Sequence, residues 1–514
     1  MDFVPLLPLL PPLIALILIL ITRQAALSLA AAVVTGVLLL NGGNPLASLK
    51  NLLEDIIFPL FMDPWYISAI LFTLTLGAFA TVLEKSGGVT ALLHRLLNSE
   101  TKAPKKRLLF GIYGLGLLCF FDGLANAILL GRISRPLTDA LKISRQFLAY
   151  LIDSTSACVA CVAFISTWIA TQLSLIKEGL KDSGVEESPV SLFFSSIPAN
   201  PYCLLTLLLI PLVIAKSWQP GPMGKAKPVE IPEASVKGDD FKVRNALIPL
   251  AALVIVLPTF IYHWQDTFYS EAGLPLPWSW QNAFSSEGVP YAMTAAGFVA
   301  LIVACLCFPG KRRHELGKHM VDGAASLLPA LIILIFAWSL GSVLKALGTA
   351  DMLSEFMKGF ISLSYLPLAV FVLGAVMSFM TGTSWGTMGL LMPMVLPIAL
   401  GLGDSAEMVT VLPMVIGAVF GGAVFGDHCS PFSDTTIVSA MASGCSPTSH
   451  VITQLPYALF TAVGAALAYT LMALGVTSGI ATLICAGLMA ALVLTRKESS
   501  SADEITDASK AGLE

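Results

Sequence analysis

The sequence predicts an all-α polytopic membrane protein with two inverted-topology repeats, whose broken or re-entrant helices meet near the bilayer midplane. Of its 514 residues, 56% are hydrophobic and only 12% are charged, whereas soluble domains carry about 25% charged residues. The apolar residues form blocks of roughly 17–25 residues, which is the length of a membrane-spanning helix. Three polar landmarks also recur in the same order in the two halves of the chain.

Thirteen apolar blocks are predicted to be spans. They cover residues 6–21, 25–40, 66–84, 107–121, 146–172, 191–215, 245–264, 290–308, 325–347, 364–380, 409–426, 455–473 and 477–495. The first block follows no basic segment, which is typical of a retained span rather than a cleaved signal. Apolar but broken pieces lie between spans at 122–140, 381–400 and 427–444.

Loop charges predict the orientation of the chain. The 85–107, 216–244 and 309–320 loops are rich in Lys and Arg, whereas the 265–290 loop has neither. Because basic loops stay in the cytoplasm, we expect the first three loops and the C-terminal tail inside and 265–290 outside. Trp264, Trp278, Trp280 and Tyr291 fit an interfacial belt on the outer side. The predicted units are N-terminal spans at 1–65, a first repeat at 66–215, a cytoplasmic linker at 216–244, a helical pair at 245–308, a second repeat at 309–475, a final span at 476–497 and a disordered acidic tail at 498–514.

The repeat rests on three matched landmarks. "LTLGAFATVLEKSGG" corresponds to "WSLGSVLKALGTA", "FFDGLANAILLG" to "FMTGTSWGTMGLL", and "LIDSTSACV" to "VFGDHCSPF". The loop charges direct span 66–84 inward and span 325–347 outward. The halves are therefore predicted to be inverted repeats, an architecture of secondary transporters in which broken helices meet near the midplane.

Four aspartates in apolar surroundings are the candidate site: Asp122, Asp153, Asp427 and Asp434. An ionised carboxylate in a membrane is expensive and indicates function. Oxygen and amide donors lie close to these aspartates or in the matching break, and a hard cation prefers oxygen ligands. They are Asn126, Ser154, Thr155, Thr381, Thr383, Ser384, Ser430, Ser433 and Thr435. The alternative is that these side chains cap helix ends.

Three further features leave alternatives open. The 381–394 segment, with Pro393 and a second proline at 397, is predicted to be an unwound or re-entrant element rather than a kinked helix. His428 either handles protons or orients Asp427. The remaining histidines, His94, His263, His314, His319 and His450, fall in loops or span ends. Arg132 and Arg135 could attract a carboxylate substrate, neutralise Asp139, or form an ordinary cytoplasmic edge.

The composition argues against several other functions. With 29 basic and 33 acidic residues, the net charge of −4 gives no support to nucleic-acid binding. The nine cysteines mostly lie in apolar segments, and the Cys158–Cys161 spacing lacks the second pair of a metal site. No nucleophile and base stand at the spacing of an enzyme, so neither catalysis nor a cofactor is expected.

Several of these segments resemble the NhaC-type sodium/proton antiporter family. The resemblance rests on "GDHCSPFSDTTIVSA" (426–440), "GTSWGT" (382–387), "AYLIDST" (149–155) and "FFDGLANAILLGRISRPLTD" (120–139). It implies inverted repeats with re-entrant hairpins, a mobile transport part moving against a scaffold, frequent dimers and electrochemically driven exchange. Family members often carry a second acid after the first aspartate, where this chain has Gly123.

The expected function is Na⁺/H⁺ antiport in the inner membrane through a carboxylate site that both ions share. Asp153 and Asp427 are the expected central pair that holds Na⁺, with Asp122 and Asp434 as supports. The alternative is a Na⁺- or H⁺-coupled carrier of a small organic acid or amino acid, which Gly123 favours. The expected partners are the lipid bilayer, Na⁺, H⁺, a small carboxylate in the alternative, and a second copy of the chain.

Overall fold

A computed structural model describes residues 4–22, 24–89, 91–92, 105–181, 187–228, 242–263, 289–349, 352, 362–403 and 405–495. Every regular element in these ranges is a helix. The principal ones are α1 Leu10–Thr22, α2 Ala25–Leu40, α3 Pro45–Asn51, α4 Pro64–Lys85, α5 Lys105–Leu118, α6 Gly123–Ala140, α7 Arg145–Val162, α8 Thr167–Leu180, α9 Pro189–Ser196, α10 Pro201–Lys216, α11 Arg244–His263, α12 Val289–Cys307, α13 Leu316–Ser326, α14 Leu328–Ala346, α15 Leu366–Thr381, α16 Ser384–Leu402, α17 Ser405–Cys429, α18 Asp434–Ser443, α19 Pro447–Ala473 and α20 Ser478–Leu494.

The helices confirm an all-α multi-pass membrane protein. In the described ranges, eight helices are long and apolar enough to cross a membrane, or ten if each of two bent pairs is one span. The helices α7 and α8 form one of these pairs, with a bend of 46°. The predicted span 146–172 is therefore a broken helix.

Two series of five helices share one pattern of breaks. In the series α4–α8, residues 119–122 interrupt the chain before α6 and residues 163–166 interrupt it before α8. In the series α14–α18, residues 382–383 precede α16 and residues 430–433 precede α18. The same order of helix and break in both halves is the structural counterpart of the landmarks in the sequence.

Helices of one series pack against helices of the other. The helix α6 packs against α18, and α8 packs against α16. A Cβ at Gly131 in α6 would lie 2.5 Å from that of Ala442 in α18, and one at Gly179 in α8 would lie 2.8 Å from Leu396 in α16. Glycine thus permits close contact in both pairs, and each pair joins one helix from each half.

The helices of each pair start together at the breaks. In α8 and α16 the rings of Trp168 and Trp385, the second residues of their helices, lie 6.0 Å apart. In α6 and α18, Gly131 and Ala442 are each the ninth residue (123 to 131 and 434 to 442). Since α7 returns beside α6 and α8 continues α7 after a 46° bend, the two pairs lead from the breaks towards opposite surfaces.

Two of the predicted broken pieces are wrong in extent. The helix α16 runs unbroken through Pro393 and Pro397, and only residues 382–383 are irregular. Likewise, residues 123–140 form the continuous helix α6. Prolines inside membrane helices are tolerated because neighbouring groups satisfy the freed backbone atoms. The third piece, 427–444, does break, between α17 and α18.

Several predictions fall outside the described residues. They concern most of the 85–107 and 265–290 loops, with Trp264, Trp278 and Trp280, and the acidic tail after residue 497. The proposed linker is described only at 216–228 and 242–244.

Candidate functional site

The four breaks converge in the centre of the protein. In the first half, the Thr167 backbone N–H donates to the Phe121 carbonyl at 2.9 Å. In the second half, Gly382 adopts a left-handed φ of 67°, and a Cβ there would lie 2.8 Å from the Phe432 backbone. Only glycine fits this position without strain. Since the helix pairs also start together, the N-termini of α6, α8, α16 and α18 surround one region.

Asp427 lies in the last turn of α17 and is fully buried. Its Oδ1 atom accepts the backbone N–H of Ser384, the first residue of α16, at 3.1 Å. Its Oδ2 atom has no hydrogen-bond partner among the described residues, and neither has the Ser384 hydroxyl. The helix N-terminus favours the negative charge, but one carboxylate oxygen and one neighbouring hydroxyl stay available to a ligand.

Asp153 lies in the middle of α7 and is equally buried, but its carboxylate is saturated. Its Oδ1 atom accepts the Ser439 hydroxyl of α18 at 3.2 Å. Its Oδ2 atom accepts Nε2 of Gln454 at 2.6 Å and lies 3.3 Å from Nε2 of His450, both in α19. These donors come from the second half of the chain, so Asp153 joins the two halves.

A single amide links the two aspartate sites. Nε2 of Gln454 also donates to the backbone carbonyl of His428 at 3.0 Å, directly after Asp427. Nδ1 of His428 lies 2.9 Å from the Tyr202 hydroxyl of α10. The Thr436 hydroxyl donates to the Asp427 carbonyl at 2.5 Å. The end of α17 is therefore fixed on three sides, which positions the Asp427 carboxylate.

The two remaining aspartates lie at helix N-termini. Asp122 is buried and caps α6, where its Oδ1 atom accepts the Ala125 N–H at 2.6 Å. The amide of Asn126, one turn later, donates to the Gly116 carbonyl at 3.0 Å. Asp434 starts α18, is exposed, and accepts the Thr435 N–H at 2.8 Å. The capping alternative thus describes the contacts of Asp122.

The other predicted oxygen donors divide into helix caps and helix-bonded hydroxyls. Thr383 caps α16 by accepting the Gly386 N–H, and the Thr155 hydroxyl donates to carbonyls of its own helix. Ser433 precedes α18 and its hydroxyl lies 2.9 Å from that of Thr435. Ser154, Thr381 and Ser430 are buried beside these breaks or in α7. Of these hydroxyls, those of Thr155 and Thr383 bond to the backbone of their own helices rather than to a carboxylate.

Three contacts of Asp153 were missed by the sequence reasoning. His450 was expected at a span end, but its side chain is fully buried against Asp153. Gln454 and Ser439 were not considered. A signal existed, because residues 450, 453, 454, 457 and 461 repeat at i, i+3, i+4, i+7 and i+11 and are all polar. That spacing puts one polar stripe along α19.

The matched landmarks predict that Asp153 and Asp427 occupy equivalent positions in the two halves, and this prediction is wrong. Asp427 lies one turn before its break, whereas Asp153 lies in the middle of α7. Of the alternatives for the arginines, neutralisation of Asp139 is confirmed for Arg135, whose Nε lies 3.9 Å from that carboxylate. The shorter ion pair of Asp139, with Nη2 of Arg145 at 3.0 Å, was not predicted. Arg145 additionally donates to the Gly444 carbonyl at 3.2 Å. This ion pair thus joins the ends of α6 and α18.

Relatives of the chain are transporters where they are characterised. An uncharacterized protein of Haemophilus influenzae is 30% identical over 475 residues, 89% of each chain. The malate-2H(+)/Na(+)-lactate antiporter of Bacillus subtilis is 30% identical over 191 residues, 37% of this chain and 39% of that protein. Among solved structures, the fold of the Alcanivorax borkumensis YdaH transporter is similar, with a TM-score of 0.57 at 15% identity, covering 83% of this chain and 88% of that chain.

In the part of the chain that the structure describes, no three His, Cys, Asp or Glu side chains are grouped as metal ligands.

The family assignment rests on a region that includes Asp427 and Asp434 and begins after Asp122 and Asp153. The profile of the Na+/H+ antiporter family matches residues 159–474, which include the second series of helices and α19. The protein is a multi-pass membrane transporter, and it belongs to the Na+/H+ antiporter family.

Proposed function

We propose that the protein exchanges Na⁺ for H⁺ at the Asp427 carboxylate. The observation that carries this proposal is the unpartnered Oδ2 atom of a fully buried aspartate, beside the unpartnered hydroxyl of Ser384. A buried carboxylate needs a counter-charge, because an uncompensated ion inside the membrane is strongly unfavourable. Na⁺ and H⁺ both supply that charge, and only one of them can occupy Oδ2 at a time.

The surrounding helices support alternating access. The N-terminus of α16 and the end of α17 meet at Asp427, and the paired helices lead from there to opposite surfaces. If α8 and α18 move with their breaks, the same carboxylate faces first one side and then the other. In this proposal Asp153 does not release its partners during the cycle; it keeps α7, α18 and α19 together around the ion.

The test uses purified protein in liposomes that contain a pH-sensitive dye. A Na⁺ gradient should drive proton movement in the opposite direction, and an equal K⁺ gradient should drive much less. The Asp427→Asn variant should abolish the response, whereas Asp63→Asn, a surface carboxylate that pairs with Lys177, should retain it. Full activity of Asp427→Asn would contradict the proposal.

A second candidate is coupled exchange of a small carboxylate. Four helix N-termini surround the site, and each favours negative charge. Gly123 stands where a further acid would oppose an anion, and one relative is named a malate-2H(+)/Na(+)-lactate antiporter. Saturable binding of labelled malate or lactate that requires Na⁺ would support this candidate. Na⁺-driven proton movement with no added carboxylate would support simple Na⁺/H⁺ exchange.

We place the protein in the inner membrane with its C-terminal tail in the cytoplasm. The basic loops at 216–244 and 309–320 support this orientation. Assembly as a homodimer is proposed by resemblance to the family. Protease access to a C-terminal tag in right-side-out and everted vesicles tests the orientation, and crosslinking in the membrane tests the dimer.

A further inference from the structure

A second buried carboxylate, Glu178, lies outside the aspartate site. It is in the last turn of α8 and is only 5% exposed. Its Oε2 atom accepts the Tyr66 hydroxyl of α4 at 2.5 Å, and its Oε1 atom accepts the Ser342 hydroxyl of α14 at 3.0 Å. A Cβ at Gly341 would lie 2.5 Å from Cγ of Glu178, so α14 leaves room for this side chain. An acid that is enclosed by three membrane helices indicates function by default.

A polar stripe connects Glu178 to the breaks. Thr167, Thr171, Ser174 and Glu178 follow the spacing i, i+4, i+7 and i+11, which is one face of α8. All four residues are buried. The stripe begins at the 163–166 break, where Thr167 interacts with the Asp122 carboxylate and the Thr167 N–H donates to the Phe121 carbonyl. At 1.5 Å per residue, it spans about 16 Å of the membrane.

Two buried polar atoms along this route have no protein partner. The Thr171 hydroxyl has none among the described residues, although hydroxyls in membrane helices usually donate to their own helix, as Ser174 does to the Ala170 carbonyl. Nε1 of Trp338 has none either, and the Trp338 ring lies 4.5 Å from that of Tyr66. Buried polar groups of this kind are usually satisfied by ordered water.

Charged and polar groups from three helices lie around Glu178. On α14, Lys345 interacts electrostatically with both Glu178 and Lys181. On α8, Nζ of Lys177 lies 3.2 Å from the Asp63 carboxylate and 4.8 Å from the centre of the Trp65 ring. On α4, Tyr66 supplies only its hydroxyl. Glu178 therefore has cations nearby but receives no direct salt bridge among the described residues.

We propose that Glu178 is the proton-binding residue at the outer end of a route along α8 to the central carboxylates. This inference rests on the proposed Na⁺/H⁺ exchange. Glu178 takes a proton from water at the surface where α8 ends, and releases it along the hydroxyls of Thr171 and Thr167 and the water between them. The proton ends on the Asp427 carboxylate as Na⁺ leaves, and Glu178 returns to its ionised form, so protons and charge balance.

Two transport reactions separate this role from a structural one. Na⁺/H⁺ exchange requires protons to reach the centre, whereas equilibrium ²²Na⁺/Na⁺ exchange does not. Glu178→Gln retains the shape of the side chain, and its amide oxygen can still accept one of the two hydroxyls while its amide N–H donates to the oxygen of the other. It binds no proton. We expect Na⁺-driven proton flux to fall about tenfold in this variant, while ²²Na⁺/Na⁺ exchange stays within about twofold of wild type.

The controls use residues at the same end of the protein. Glu178→Asp should restore most of the proton flux, Thr171→Val should lower it about threefold and Thr171→Ser should not. Glu54→Gln, a change in an exposed carboxylate that pairs with Lys50, should leave both reactions unchanged. A parallel loss of both reactions in Glu178→Gln, or unchanged proton flux, would overturn the proposed route. If the wild type itself shows no Na⁺-driven proton flux, the proposed function fails first, and the route fails with it.

Discussion

Asp427 and Asp153 are both fully buried aspartates, yet their environments are opposite. Asp153 receives side-chain contacts from Ser439, His450 and Gln454, whereas Asp427 receives one backbone N–H and keeps Oδ2 unpartnered. A carboxylate that accepts three side-chain donors is suited to structure, because a Na⁺ ion must first displace those donors. An open carboxylate is suited to exchange. The comparison therefore supports the proposal that the ion binds at Asp427 while Asp153 has a structural role.

The largest expected effect comes from Asp427→Asn. The change keeps an oxygen for the Ser384 N–H but removes the charge, so we expect loss of Na⁺ transport by at least about 100-fold, since a buried ion pair is worth several kcal/mol. Thermal stability in detergent should not decrease, because the uncompensated buried charge has gone. Transport assays and a melting curve on the same preparation check both parts.

For Asp153→Asn we expect a larger loss of stability and a smaller loss of transport than for Asp427→Asn. Hydrogen bonds to a charged group contribute about 1.5–3 kcal/mol each, so this variant should unfold at a clearly lower temperature than wild type. Transport should fall about tenfold as α18 and α19 lose their fixed positions. If Asp153→Asn proved as stable as wild type, the structural role of Asp153 would be wrong.

A smaller effect is expected for Gln454→Leu. This side chain links Asp153 to the His428 carbonyl, so its loss should shift Asp427 and raise the KM for Na⁺ about fivefold to tenfold. Thr453→Val, a change in the neighbouring residue whose hydroxyl bonds only to carbonyls of its own helix, serves as the matched control. Equal KM values for Na⁺ in the two variants would contradict the role of Gln454 in positioning Asp427.

The smallest effect is expected for Ser384→Ala. The variant retains the backbone N–H that holds Oδ1 of Asp427 and removes only the hydroxyl. One lost oxygen contact should raise the KM for Na⁺ about threefold to tenfold at unchanged kcat, whereas Ser384→Thr should stay near wild type. Initial rates of ²²Na⁺ uptake over a range of Na⁺ concentrations measure this directly.

The sequence predicted the fold and three of the four helix breaks because membrane helices leave strong signals. Apolar length sets the spans, and the polar clusters mark the breaks before α6, α16 and α18. The break before α8 lies inside the predicted continuous span 146–172. The predicted irregular backbone extended too far, because α16 continues through Pro393 and Pro397. A proline removes one backbone hydrogen bond of a helix, but neighbouring helices in a bundle can keep that helix intact. Proline position alone does not contain that information.

The sequence predicted which residue types form the site, but not which of these residues contact one another. Local clustering identified Asp153 and Asp427, yet their different roles depend on partners far away in the chain. Ser384 lies 43 residues before Asp427 and Gln454 lies 301 after Asp153. His450 has no acid close to it in sequence, so only the polar stripe on α19 could have indicated its contact. Glu178 was not predicted because it lies at the far end of α8, away from the polar clusters that mark the breaks.

The most direct test of the account is equilibrium binding of ²²Na⁺ to the purified protein and to its Asp427→Asn and Asp153→Asn variants. Saturable binding that protons displace should occur in the wild type. It should vanish in Asp427→Asn and persist, weakened, in Asp153→Asn at a temperature below its unfolding transition. Persistent binding in Asp427→Asn with loss in Asp153→Asn would contradict the assignment of the ion to Asp427.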